Sequence, residues 1–313
     1  MKTKDVSIQL IRILSMFSII LCHLVQELNN PTLAQTGQLF NVGVYIFLFL
    51  SGWLYGNKEI NDICNWILGR VKRVLVPMWI FMIFLFFIYS FQGTMNLWYI
   101  PIFLTNTQYW FGKIRGGAHL WFISVIFLCY LMIPLLQKVK NKLEVIIPVM
   151  VLTGYALCYL SRTEGMIILY ISVFIIGYVY KNKNVELSWK LAVSLIILAL
   201  VIRLGSKVLL DGTVLYDCLL VYLTHTALTV GVFVLGRKFL IFKSGKIVNW
   251  FDDISYFVYI THYMFMVGPL RTMRLTENLF VNVVITLTVS FVTAAILRMI
   301  YRFVVRENRK NTV

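Results

Sequence analysis

Charge is scarce in this chain, and acidic charge scarcest: Asp and Glu together number thirteen in 313 residues, and all charged types make up only 13%. A soluble domain of this length needs a polar shell, and this composition has too few polar residues to build one. The five cysteines, Cys22, Cys64, Cys129, Cys158 and Cys218, form no CxxC pair and no His-flanked zinc spacing. That argues against a disulfide framework and against a bound metal. No small-residue cleavage site follows the first apolar run, which is too long for a signal peptide and is interrupted by Arg12, so it reads as a retained first span. No repeat, low-complexity stretch or linker divides the chain. Residues 1–313 therefore read as one membrane domain with no fused soluble domain.

What is abundant is apolar surface in long runs. Hydrophobic residues make up 60% of the chain, and the mean hydropathy is +0.82. Runs of roughly 17–25 apolar residues cross the hydrocarbon as helices, because a helix satisfies its own backbone hydrogen bonds. The pattern predicts an all-α, polytopic membrane protein with about ten spans, at 6–27, 39–56, 75–91, 119–136, 144–160, 166–180, 188–205, 216–235, 254–270 and 279–303. The stretch 97–104 is apolar but too short to cross, and reads as re-entrant or interfacial.

The net charge of +16 follows membrane topology and not a nucleic-acid face, since the basic residues cluster in short loops between apolar runs. On alternate sides of the predicted spans the Lys and Arg counts are twenty against seven. The richer set includes Lys2, Lys4, Arg70, Lys72, Arg73, Arg306, Arg309 and Lys310. The positive-inside rule places that set, and both termini, in the cytoplasm.

Ionisable groups within a span are costly and point first to function. Arg12 and His23 are eleven residues, about three turns, apart on the first helix, so they share a face about 16 Å apart along the axis. A histidine suits proton transfer at neutral pH, and Glu27, one turn on, is placed to orient its ring. The plain alternative is that Arg12 snorkels and His23 bonds another helix. Arg70 and Arg73 precede the third span on the cytoplasmic side, where paired guanidinium groups suit phosphate or simply mark topology. Ser51-Gly52-Trp53 permits close helix contact or offers a hydroxyl. His119 and Trp121 sit where an aromatic outer loop, about 92–118, enters the fourth span. Trp121 alone would serve as a belt anchor. His225 and His262 lie deeper and read first as packing histidines. No carboxylate falls at the centre of a span, which disfavours an ion-coupled transporter.

Taken in order, these residues resemble the acyltransferase family 3 membrane proteins over nearly the whole chain. Arg12 and His23 look like the family's Arg-x10-His pattern, and Phe49-Leu50-Ser51-Gly52-Trp53 like its Phe-Leu-Ser-Gly-Phe stretch. Arg70 and Arg73 with Pro77 look like its Arg-x-x-Arg element. His119-Leu120-Trp121-Phe122 with Tyr130 and Pro134, and Ser255, Tyr259 and His262, look like its later motifs. The chain departs at Gln9, where many members carry Asp, at Ile13, where many carry Gly, and at Tyr263, where Pro often follows the histidine. The resemblance implies transfer of an acyl group, usually acetyl, from cytoplasmic acetyl-CoA or another acyl-CoA to a glycan hydroxyl at the outer face of a bacterial cell membrane. His23, Arg12 and Glu27 would be catalytic, Arg70 and Arg73 would hold the donor, and His119, Trp121 and Ser51 would bind the acceptor. A glycan exporter or small-molecule permease, or a membrane sensor, would use the same helices without consuming acyl-CoA. Oligomeric state is not readable from the sequence.

Overall fold

The computed structural model describes residues 5–28, 30, 36–243 and 245–310, with side chains through Val305. Lys2 and Lys4, and the side chains of Arg306, Arg309 and Lys310, lie outside the described residues. Among the described residues twelve helices follow in order: α1 Val6–Gln26, α2 Val42–Tyr55, α3 Ile63–Phe91, α4 Tyr99–Leu104, α5 Gln108–Phe111, α6 Trp121–Lys138, α7 Leu143–Cys158, α8 Arg162–Asn182, α9 Trp189–Leu210, α10 Leu215–Phe239, α11 Lys246–Met266 and α12 Leu279–Lys310. There is no strand among the described residues.

Nine segments among the described residues are long and apolar enough to cross a bilayer. Residues 254–266 of the expected span 254–270 fall in α11. That helix is 21 residues long, about 31 Å at 1.5 Å per residue, but it carries Asp252, Asp253, His262 and several tyrosines, so its polarity sets it apart. The third span also begins earlier than position 75. Its helix starts at Ile63, and the basic Arg70–Arg73 stretch is helical, passing through a π turn at Val71–Leu75. Such a turn leaves backbone groups to be satisfied elsewhere, and the Tyr256 hydroxyl donates to the Val74 carbonyl at 2.7 Å. The short apolar stretch forms α4, six residues and too short to cross.

The chain folds as two compact units. One comprises residues 1–19, 39–61 and 131–252, the other residues 20–38, 62–130 and 253–313. In the first unit α2 and α8 pack closely because a glycine on each helix lies against the backbone of the other. A Cβ on Gly52 would stand 1.9 Å from the Phe174 carbonyl oxygen, and one on Gly177 would stand 2.0 Å from that of Phe49. The Ser51-Gly52 pair thus sits at a helix contact of the kind small residues permit in membranes. α7 exposes Val145, Val149 and Leu152, and α9 exposes Ile197, Val201, Leu204 and Val208. These rows recur every three or four residues and are the faces a lipid solvent would cover.

In the second unit α11 is tied to α12. Thr261 Oγ1 donates to Ser290 O at 3.2 Å, Phe257 meets Tyr301 at 5.6 Å, and Arg298 pairs with Asp253 at 2.7 Å. The entry to α6 is held near the exit of α11 by backbone contact. Gly116 has φ +78°, and a Cβ there would be 2.8 Å from Gly268 Cα. Only glycine meets both demands without strain.

Candidate functional site

The unit boundary falls within α1, between Ile19 and Ile20, so Arg12 belongs to the first unit and His23 to the second. In the first unit Arg12 Nη1 pairs with Asp252 Oδ1 at 2.5 Å, and the Asp252 side chain is 1% exposed. Gln9 Nε2 donates to Asp252 Oδ2 at 3.1 Å and to Asn249 Oδ1 at 2.8 Å. These donors offset the cost of taking the carboxylate out of solvent. Gln9, the departure from the family pattern, is therefore one of the groups that hold Asp252. The same unit holds Ser51, half-buried on α2.

The second unit gathers three of the four histidines. Ring centroids are 4.9 Å apart for His119 and His262, 5.4 Å for His23 and His262, and 6.4 Å for His23 and His119. Tyr263 closes the group, 4.8 Å from His23 and 5.0 Å from His119. His119 and His262 are buried, while His23 is half-buried.

The backbone fixes the tautomers of two rings. His119 Nε2 lies 2.8 Å from Tyr259 O and 3.2 Å from Ile260 O, and His262 Nδ1 lies 2.7 Å from Tyr259 O and 3.1 Å from Val258 O. Carbonyl oxygens only accept, so both ring nitrogens carry hydrogen. In the neutral rings His119 Nδ1 and His262 Nε2 are then lone pairs. Neither has a hydrogen-bond partner among the described residues, and nor does His23 Nδ1. Gln26 lies within range of the His23 ring, but its amide nitrogen bonds Cys22 Sγ at 3.3 Å. A return bond from the Tyr259 hydroxyl to His119 O, 2.5 Å, completes a clasp between the start of α6 and α11. Three buried ring nitrogens left open together, two of them fixed as acceptors, suit a ligand that donates hydroxyl hydrogens.

Glu27 is paired with Arg271 and stands within electrostatic range of Tyr263. Trp121 packs on Tyr109 at 5.9 Å, at the start of α6. Arg70 lies over the rings of Trp66 and Tyr130, 5.7 Å from each centroid, and Arg73 is exposed. Asp62 caps α3: its carboxylate accepts from the Asn65 amide at 3.0 Å and the Asn65 side chain at 2.6 Å. These bonds hold the carboxyl below the usual carboxylate range. No group of three or more His, Cys, Asp or Glu among the described residues is arranged to hold a metal. His225 lies in the first unit, with Nδ1 2.8 Å from Val221 O and its ring stacked on Tyr45 at 5.0 Å.

The motifs in the sequence pointed to His23 and His119. They did not show that His262 completes the group, or that Tyr263 packs against it. Asp252 as the partner of Arg12 was also not visible, because some 240 residues separate them. Residues 5–299 match a family model described as an acyltransferase domain. No curated protein and no solved structure matches the chain.

Proposed function

The chain belongs to acyltransferase family 3, and from that membership we propose a membrane O-acyltransferase that moves an acyl group, acetyl in the first instance, from cytoplasmic acyl-CoA to a glycan hydroxyl at the outer face of a bacterial plasma membrane. The observation that supports this reading best is the group of three histidines with unsatisfied ring nitrogens, which suits a hydroxyl-bearing acceptor.

In this reading His23 is the general base. It takes the acceptor's hydroxyl proton as the oxygen attacks the thioester carbonyl. The new C–O bond forms, the C–S bond breaks, and the departing CoA thiolate is protonated in turn. The fixed lone pairs of His119 and His262 stabilise the imidazolium formed at His23, as a third group does in other nucleophile–base systems. Transient acylation of His23 is the variant in which the same ring carries the group. Arg12, taken up by Asp252, is a positioning residue, and Glu27 orders the outer end of α1 through Arg271. Arg70 and Arg73 suit the donor's phosphates, because a guanidinium offers paired donors and Arg70 already rests on two rings. Trp121 is assigned to the acceptor.

The test is transfer from radiolabelled acetyl-CoA in membranes, with a panel of surface or lipid-linked glycans. Wild type should move label into glycan with release of free CoA, and His23→Ala should lower the rate at least about 100-fold, the scale of general base catalysis. A folded His23→Ala protein with full transfer would refute the role of His23. Well-folded wild type that consumes no acyl-CoA would favour an exporter instead.

A further inference from the structure

The first unit holds a cavity of about 590 Å³ to which the reaction proposed above assigns no residue. Its walls come from the ends of α2, α8 and α10 and the start of α9, on the side that the basic loops assign to the cytoplasm. The size lies within the usual range for small-molecule sites.

Its lining is basic and aromatic. Lys181, Arg237 and Lys238 face a single carboxylate, Glu186. Trp53 holds two of the cations: Lys181 Nζ is 4.7 Å and the Arg237 guanidinium 5.4 Å from its ring centroid. Lys238 lies over Trp189 at 5.2 Å. Cation–π contact accounts for where each charge rests, but not for bringing two like charges to one indole, which repel each other. Asp5 pairs with Arg237 and offsets part of that charge. Lys181 and Lys238 make no salt bridge among the described residues. An apolar ligand would leave these cations uncompensated and a cationic one would be repelled. An anion with several acceptor oxygens fits, bound by the guanidinium fork and the lysine point charges.

We propose that this cavity is a binding site for a phosphate ester. The shared chemistry is the phosphate group. It can arrive on a water-soluble nucleotide or as the headgroup of an anionic phospholipid in the adjoining leaflet. The inference is independent of the role of the histidines.

The experiment uses the full chain in phosphatidylcholine nanodiscs and reads the emission that depends on Trp53, the difference between wild type and Trp53→Phe. Adenosine 3′,5′-bisphosphate is titrated in one arm. In the other, phosphatidylglycerol replaces part of the phosphatidylcholine. A saturable change in at least one arm is expected, with the midpoint shifted about tenfold or more in Lys181→Gln, a factor that corresponds to one charge-assisted contact. Arg237→Gln also loses the Asp5 contact, so Lys181→Gln and Lys238→Gln carry the test. A response to the nucleotide alone assigns the site to soluble esters, and a response to phosphatidylglycerol alone assigns it to the leaflet. No response in either arm, or an unchanged midpoint in the combined Lys181→Gln, Lys238→Gln protein, overturns the proposal.

Discussion

His225 and His262 are both tied to their own helices through Nδ1 and differ in what meets the rest of the ring. Each places Nδ1 against the carbonyl four residues back, Val221 or Val258. In the first unit the His225 ring then stacks on Tyr45. In the second, His262 keeps an unpartnered Nε2 beside two other imidazoles. Both rings are tied through Nδ1 to their own helix, so that local bond does not separate a packing histidine from one of the proposed site. The neighbours brought by other helices decide it.

That contrast can be broken directly. On the proposed mechanism His262→Ala should lower acyl transfer by about 100-fold, because an imidazolium at His23 would lose a fixed acceptor, whereas His225→Ala should stay within about threefold in rate while losing thermal stability in detergent, since it leaves a void beside Tyr45. Equal losses of rate in the two variants, at equal folded yield, would remove the distinction. A smaller effect is expected from Tyr259→Phe, which deletes the hydroxyl bond to His119 O but leaves both ring–carbonyl bonds. We expect about a fivefold loss of rate, in line with one hydrogen bond of roughly 1 kcal/mol, and near-normal folding by size-exclusion profile. The smallest is a pH effect away from the histidines. The Asp62 carboxyl is held below its unfolded value by its cap bonds. Its contribution is therefore fully present above about pH 4 and is lost as pH falls through the folded value. Asp62→Ala should flatten the thermal-stability profile of the protein below about pH 4 and change little at pH 7, as melting curves at stepped pH would show.

The spans were legible in the sequence because a bilayer demands about twenty apolar residues at a time, and that demand writes itself into composition. The start of α3 was not. Arg70, Lys72 and Arg73 read as a loop, yet a helix does not have to end where the hydrocarbon does, and basic side chains are at home at the interface. His23 and His119 stood out in the sequence because they belong to ordered motifs. Asp252 was not, since nothing in the spacing of Gln9 and Arg12 says which distant carboxylate they will share. Tyr263 was noted only as a departure from a proline, and its ring turns out to form a wall of the histidine group.

One oxygen, Tyr259 O, receives hydrogens from both His119 and His262. It belongs to the main chain. Any codon at position 259 would still encode that oxygen, so the protonation pattern of the two rings is inherited through the path of the backbone and not through the identity of a residue. Genetic drift at that position can erode the hydroxyl clasp but cannot rewrite which nitrogens of His119 and His262 carry hydrogen while α11 keeps its course.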